Sequence, residues 1–573
     1  MYQIQKTCLC CHNCALECPV GAIDYVGTCY AIDQEKCIGC GLCYSVCNVG
    51  AVVDTEAVPA PAHAPAALEA DLVVIGCGGS GSVAAVRAAE LTGKKVIVLE
   101  KAAKPGGSAW FAGFQLENGA PRGGPGGPGG PGGPGGEGGP GGGPGGPSGG
   151  PPKRDESFLK DLDPELVAAA KAAPAQLYDW MITLPGVKEA CTAAEFNGRT
   201  VYSIPQGNVF YNLKNYDEAI GPGHGGSFLI RMMVQQFDRL GIRLLTETRA
   251  TEIKTDADGA VCGVVAQDPG GTVEIACRAV ICASGGFAHN DELLEKYWPW
   301  FFSGKAEDEP VHRFAAPTNT GDVVQLGQSA GAYVDFDNFF VNLFGPVHHP
   351  FSFVLFQYCL QPDSIKVNLD GKRFFNDSVF SEGAAHIGDQ PGRIAWSILD
   401  SDTMEALGQR LARQNGGAFV DFHKELDMEI GLDVPCKRAD TLEDLAEQCG
   451  IAVEPFLQTI ERYNGFCETG VDEDFGRTGM RPIRQAPFYA IYGKMATDGA
   501  FGGVLINGKT EVYRADREGV IPGLYATGDN ASGWAKNPGK PGDNRMMVTG
   551  EMSWASGSGF IAGTQAAAYI NGQ

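Results

Sequence analysis

Basic charge is scarce in this chain of 573 residues: 44 lysines and arginines stand against 68 aspartates and glutamates, a net charge of −24. A surface of that sign repels phosphate backbones and anionic lipid, which argues against nucleic acid as a partner. Long uninterrupted apolar runs are also missing. The most aromatic stretch, FFVNLFGPVHHPFSFVLFQY (339–358), is broken by Asn342, two prolines, His348 and His349 before it reaches the roughly 20 apolar residues of a membrane span, so no membrane insertion is expected. MYQIQKTCLC, at the start, carries neither a charged-then-apolar leader nor a twin arginine, and a cytoplasmic location is expected. What the chain does have is 44% hydrophobic residues, enough for several folded units, and 19 cysteines. In a large chain without an export signal, an odd and partly clustered set of cysteines points to metal ligation rather than disulfides.

Cys8, Cys11, Cys14 and Cys18 form C-x2-C-x2-C-x3-C-P, and Cys37, Cys40, Cys43 and Cys47 repeat the spacing 29 residues later, down to the tails CPVGAI and CNVGAV. The alternative reading, a pair of zinc knuckles, fits less well because zinc sites rarely use four cysteines in so compact a run. The duplicated run resembles the two-cluster bacterial ferredoxins. That resemblance implies one [4Fe-4S] cluster on Cys8, Cys11, Cys14 and Cys47 and a second on Cys37, Cys40, Cys43 and Cys18. Asn48 departs from it by replacing the proline expected after the last cysteine, which removes no ligand. Cys10 and Cys29 are read as small packed residues. A ferredoxin-like domain is therefore expected over 1–53, followed by an Ala/Pro-rich linker over 54–70.

DLVVIGCGGSGSVAAVRAAELTGKKVIVLEK (71–101) reads as a buried strand, a glycine turn, a helix and a second strand. Gly76 allows the tight bend, Gly78 lets backbone amides approach a pyrophosphate, and Gly81 lets helix and strand pack closely, with Gly79 and Ser80 inside the turn. Glu100, 19 residues beyond Gly81, is placed to bind a ribose hydroxyl, and Lys101 follows it. KPGGS (104–108, with Gly106, Gly107 and Ser108), ICASGGF (281–287, with Gly285) and GLYATGD (523–529, with Asp529) resemble the dispersed flavin contacts of two-dinucleotide-fold flavoproteins. That resemblance implies FAD. A second strand–GxGxxG–helix unit is absent, so electrons are expected through the clusters from an external low-potential donor such as a ferredoxin, a flavodoxin or a reductase. Residues 122–152, almost wholly Gly and Pro, cannot bury a core and read as a solvated surface loop.

Over 71–573 the chain resembles the flavoprotein subunit of soluble fumarate reductases and their kin, the urocanate and acrylate-type reductases and ketosteroid dehydrogenases. The resemblance is carried by AVICASGGFAHNDELLEKY, NTGDVVQLGQSAGA, IKVNLDGKRFFND, ERYNGFCETGVDEDF, FYAIYGKM, FGGVLINGKTEV and IPGLYATGDNASG, with DNRMM around Arg545. It implies an α/β, α+β multi-domain architecture: a Rossmann-like FAD domain over 71–340 and 499–573 interrupted by a clamp at 341–498. Ser-Ala-Trp stands where covalent attachment would need a histidine, so the implied FAD is noncovalent.

Of the cations that this family uses to clamp two carboxylates, only Arg545 survives. Ser381 stands where the family's proton-donating arginine would be, Asp498 and Gly499 replace a histidine pair, Phe356 and Gln357 replace a Thr-Glu pair, and Val341 and Asn342 lie where the first substrate histidine would be. A buried dicarboxylate without cationic partners is heavily penalised, so fumarate is not the expected substrate. From its residues alone the phenylalanine run could be a packed core strand pair or an apolar pocket. Its place in the family's carboxylate-binding wall favours a pocket for an aromatic or polycyclic molecule, lined by Phe344, Phe356, Gln357, Ser381 and Asp498. The implied chemistry is reduction of an activated C=C bond, with Arg545, Tyr358 and Lys494 as candidate proton donors and His348 and His349 behind them. Desaturation of a cyclic ketone, reductive cleavage of a benzylic or ether bond, and a pure electron-transfer subunit are the competing readings.

Overall fold

The computed structural model describes residues 1–5, 8, 13–26, 29–45, 47, 50–56, 66–110, 112–114, 156–196, 199–204, 225–299, 313, 315–347, 355, 359, 363–378, 383–414, 426–427, 430–431, 436–536 and 547–572. The N-terminal module has an internal two-fold pattern. Strand β1 (Tyr2–Ile4) and helix α1 (Asn13–Leu16) are followed by the hairpin β2 (Ile23–Tyr25) and β3 (Tyr30–Ile32), then α2 (Leu42–Ser45) and β4 (Val52–Asp54). β1 pairs antiparallel with β4, and β2 with β3. The two cysteine repeats give the same local hydrogen bonds: Ala22 N donates to Cys18 Sγ at 3.2 Å, and Ala51 N donates to Cys47 Sγ at 3.2 Å. The turn glycines Gly21 and Gly50 both take positive φ, 57° and 64°, which lets the chain fold back beneath each sulfur.

Residues 66–69, expected in the linker, instead form β5 (Ala66–Glu69), which joins the large body. There follow β6 (Leu72–Ile75), α3 (Gly79–Thr92), β7 (Val96–Leu99), α4 (Pro164–Met181), the hairpin β8 (Thr192–Phe196) and β9 (Arg199–Ser203), α5 (Gly225–Val234) and β10 (Arg243–Leu245). Next come β11 (Arg249–Thr255), β12 (Val261–Asp268), β13 (Gly271–Ala276), β14 (Ala279–Cys282) and α6 (Asp322–Ser329). The clamp region supplies β15 (Val334–Val347), β16 (Ile365–Val367), α7 (Gly383–Gly388), β17 (Ala395–Leu399), β18 (Cys436–Ala439) and α8 (Val453–Thr469). The chain returns through β19 (Phe488–Leu505), β20 (Glu511–Tyr513), β21 (Val520–Ala526) and α9 (Glu551–Asn571).

The body is a six-stranded sheet in the order β10-β7-β6-β14-β21-β20, parallel except for β20. Its central strands, LVVI and AVIC, are buried at every position, as strands covered on both faces must be. α9 lies against α3 through small residues. A Cβ on Gly559 would overlap the Ser80 carbonyl, so the backbones touch, and this draws both helix N-termini toward one cleft. A second sheet, β11-β12-β13-β5, flanks the body.

The clamp sheet runs β15-β19-β17-β16, with β18 also on β19. Boundaries expected at 341 and 498 fall inside β15 and β19 rather than in loops. These two strands pair from Val334↔Val504 to Val347↔Lys494, with register shifts at Asp335/Phe340, Asn342/Leu343 and Phe344/Val347. Among the described residues no helix is long and apolar enough to cross a membrane. The Gly/Pro-rich segment 122–152 lies outside the described residues.

Candidate functional site

A cleft of about 790 Å³ opens where β6, β7 and β14 end and α3 and α9 begin. The glycine turn forms its floor. Gly76, at φ 100°, passes so close to the Ala283 carbonyl that a Cβ would overlap it, and a Cβ on Gly81 would overlap the Gly76 carbonyl oxygen. Gly78, Gly79 and Ser80 line the cleft beside Gly106, Gly107, Ser108 and Gly285. Apart from Gly81, which packs against Gly76 and Ala283, the glycines, serines and acids expected at a dinucleotide site thus line one cleft.

Polar groups in the cleft fall into two kinds. Some are structural: the buried Glu100 carboxylate accepts from Cys77 N at 3.0 Å and Ala102 N at 2.8 Å. Burial pushes its pKa up, opposed by those two backbone donors. Ser108 Oγ accepts from Ala316 N at 2.8 Å and Asn319 Nδ2 at 2.9 Å, fastening the 315–321 loop over the cleft. Lys101 lines the cleft, yet its ammonium is bound to Thr320 Oγ1 at 2.8 Å and Asp322 Oδ2 at 2.9 Å. Others look outward: Ser284 Oγ is buried with no hydrogen-bond partner among the described residues. The Asp529 carboxylate likewise accepts no hydrogen bond from a described residue, and burial pushes its pKa up to about 7. Orphaned polar groups in a cleft with a pyrophosphate-type turn fit a ligand such as FAD, whose hydroxyls and phosphates would pair with them.

The Asp529 shift has a testable consequence. A carboxyl whose folded pKa exceeds its unfolded value of 3.8 favours the fold only while protonated, so that contribution is lost as pH rises toward about 7. In flavin-free protein, the stability advantage of Asp529→Asn over wild type, measured by urea midpoints, should therefore widen between about pH 4 and about pH 7 and stay constant above. A gap independent of pH would mean that Asp529 ionises normally.

The strand pair β15/β19 packs against residues that line or flank the cleft. Phe287 N donates to Ala500 O at 3.2 Å, and a Cβ on Gly499 would lie 3.1 Å from Glu551 Oε1, a residue lining the cleft. Across the pair, Val341 faces Ala500 and Asn342 faces Gly499. Phe339 is buried with its ring edge-on to Trp298 at 5.6 Å, while Tyr297 and Phe336 stack at 4.0 Å. For Phe339, then, the core reading of the aromatic run is the right one. These rings fill the seam beneath the strand pair.

The N-terminal module has a second cavity, of about 320 Å³, lined by Cys18, Cys37, Cys40 and Cys43 among Tyr2, Val20, Ile23, Ile38 and Leu42. The four thiols are close enough that Cys37, Cys40 and Cys18 each add to the rise that burial imposes on the Cys43 pKa. Among the described residues no three His, Cys, Asp or Glu converge on a point where one ion could sit. Four cysteines spread around a cavity suit a cube-shaped cluster better than a lone zinc. Cys8, Cys14 and Cys47 pack in the same small core, as does Cys29, while Cys11 lies outside the described residues.

The family profile described as FAD binding domain matches residues 71–114 and 160–540. The chain belongs to that FAD-binding family. It is an FAD-binding oxidoreductase, and the 4Fe-4S binding domain profile matches residues 30–53, giving it an iron–sulfur domain. A urocanate reductase of Eggerthella lenta is 27% identical over 502 residues, covering 86% of this chain and 73% of the relative. A vinyl phenol reductase of Lactiplantibacillus plantarum is 26% identical over 376 residues, covering 61% and 73%. The open conformation of a flavocytochrome c3 fumarate reductase superposes with a TM-score of 0.61 at 20% identity, covering 88% of this chain and 79% of that one, so the fold is shared.

The cleft brings together Glu100, Lys101, Asp529 and the expected glycines and serines other than Gly81. Sequence reasoning did not single out Thr248, Asn319, Glu551 and Met552, which also line it, nor Ser284 within the ICASGGF stretch. Asn319 opens a stretch, NTGDVVQLGQSAGA, that already carried the family resemblance, whereas Glu551 had no local signal. Arg545, Tyr358, Phe356, Gln357 and Ser381, with His348 and His349, lie outside the described residues, as do the side chains of Phe344 and Asp498. Lys494 is described, sits opposite Val347, and does not line the cleft.

Proposed function

We propose that this flavoprotein reduces an activated C=C bond in an apolar, aromatic or polycyclic small molecule, and that an external one-electron donor supplies it through two [4Fe-4S] clusters held by the two cysteine quartets. Bound FAD supplies hydride transfer to an alkene carbon, and the clusters supply one-electron relay. The chain's own residues do the rest. Gly76, Gly78 and Gly81 admit the pyrophosphate, Asp529 and Ser284 offer hydrogen bonds along the cleft, and β15/β19 walls the reacting side off from water. Arg545 is the first choice for delivering the proton to the second carbon, with Tyr358 and Lys494 as alternatives.

The observation that carries this reading is the register Val341↔Ala500 and Asn342↔Gly499 beside the cleft. Two positions where the family places carboxylate-binding histidines stand side by side, and neither bears a cation. Arg313, whose backbone bridges Thr497, is committed to Asp291 and to the Ala288 carbonyl at 2.9 Å. A dicarboxylate would therefore be poorly paired there.

The test uses protein reduced anaerobically with dithionite and freed of excess reductant. Flavin absorbance is followed after adding 4-vinylphenol, cinnamate, an enone steroid or fumarate. A ring compound should reoxidise the flavin at least about 100-fold faster than fumarate does, the scale expected when a site lacks the ionic partners of the poorer substrate. Fast reoxidation by fumarate would overturn the reading, and reoxidation by none would favour an electron-transfer subunit.

A further inference from the structure

Exposed apolar side chains are concentrated on the N-terminal module. Of the eight large hydrophobic side chains that the described residues leave exposed, six lie in the first 44 residues: Met1, Val20, Val26, Ile38, Leu42 and Tyr44. Soluble surfaces rarely cluster such groups without a use for them. Ile38, at 63% exposure, stands out further because it, Val20 and Leu42 also line the cavity ringed by Cys18, Cys37, Cys40 and Cys43. One layer of side chains therefore has solvent on its outer side and the thiols on its inner side. Cys40 itself is exposed. The large body does not cover this layer: its described contact with the module is at the far end of α2, where Lys104 Nζ donates to Ser45 O at 3.0 Å. Lys104 begins the KPGGS turn, whose Gly106, Gly107 and Ser108 line the flavin cleft, so this contact links the module to the flavin side.

The two cysteine loops differ in a way that fits this asymmetry. The first reads C-L-C-C-H-N-C and the second C-I-G-C-G-L-C, with Gly39 and Gly41 at φ 69° and 76°. Only the second is apolar between its ligands. Charge within this segment is mainly negative: residues 13–45 carry Glu17, Asp24, Asp33 and Glu35 against Lys36, which is paired with Asp33 at 3.2 Å.

Resting on the two-cluster reading above, we infer that the Val20–Ile38–Leu42 face is the port at which a protein electron donor docks, a donor whose cofactor edge lies in an apolar patch ringed by lysine and arginine. Each encounter oxidises the donor by one electron and reduces the module by one. Two encounters supply the pair that a C=C bond takes up with two protons. The apolar contact brings the two cofactors to short range without a polar layer between them, and the opposite charges steer the encounter.

The experiment uses the full-length holoprotein, reduced with dithionite and freed of excess, and a basic c-type cytochrome with an exposed haem edge as the probe. The same face serves transfer in either direction. Haem reduction is followed by stopped flow, with oxidation by methyl viologen as the small-molecule comparison. Ile38→Lys should slow the cytochrome at least about ten-fold more than it slows methyl viologen, and the wild-type cytochrome rate should fall steeply with salt. Val471→Lys, a clamp residue 59% exposed, should match wild type. If Ile38→Lys loses its iron–sulfur absorbance, Leu42→Lys is read by the same ratio. A cytochrome-to-viologen ratio unchanged in the intact variant overturns the port. Iron analysis separates the two ideas: four irons per chain in place of eight would sink the two-cluster reading while the port still stands or falls on the rate ratio.

Discussion

Gly81→Val should leave the protein without FAD. Gel-filtered protein should carry little flavin, and reconstitution followed by flavin fluorescence should give an affinity at least about 100-fold weaker, since overpacking of about 3 kcal/mol falls directly on the binding turn. The reason is geometric. A Cβ at Gly81 meets the Gly76 carbonyl oxygen and the Ala283 side chain at 3.1 Å, and no rotamer relieves a clash that begins at Cβ. The turn must open, which moves the amides at the start of α3 away from where a pyrophosphate would lie. Gly93→Ala is the control. It changes the C-cap of the same helix, at φ 60°, where a Cβ has nothing within 4 Å, so it should cost about 1 kcal/mol of stability and no flavin. Iron content should stay at the wild-type level in both variants. Full flavin content in Gly81→Val would mean that the turn does not hold the pyrophosphate.

The flavin turn and the cysteine ring were legible in the sequence because their chemistry dictates spacing over short distances. Three glycines must fall at fixed offsets for one turn to close on a phosphate, and each cysteine run sets four thiols within eleven residues, with matched bonds at Cys18 and Cys47. Glu100 was found the same way, at the end of a strand counted from that turn. Glu551 was not, because it reaches the cleft from a segment that meets it only in the folded body, and nothing in its neighbours' spacing announces it. The aromatic run shows another limit. Periodicity could not separate a ring packed in a core from a ring facing a ligand, and for Phe339 the deciding fact was Trp298, some forty residues earlier, at 5.6 Å. The expected clamp boundaries fall within β15 and β19, and a strand that continues through such a point carries no turn signal there.

Asp377→Ala should destabilise the clamp by about 3–5 kcal/mol, the range for removing one partner of a buried ion pair. Asp377 is fully buried. Its carboxylate accepts from Arg477 Nη1 at 2.6 Å, from Arg373 Nε and Nη2 at 3.2 Å, and from Lys366 N at 2.9 Å. Arg373 in turn reaches Asp472 at 2.9 Å, so two guanidinium groups and two carboxylates form a closed network beneath Tyr463. Taking away Asp377 leaves Asp472 as the one carboxylate of that network and removes the charged partner of an arginine whose side chain is 0% exposed and whose Nη1 keeps its bond to the Ser364 carbonyl at 2.8 Å. Asp377→Asn, which keeps two of the hydrogen bonds and loses the charge, should cost less than alanine does. The effect should also reach catalysis. Asp377 lies four residues before Ser381, so the network anchors the segment leading to the proposed substrate wall. The variant should accordingly show a raised KM for the reducible ring compound with FAD and iron contents at wild-type levels. A urea midpoint within error of wild type would show that the network contributes little. A loss of stability with an unchanged KM would confine Asp377 to holding the clamp together.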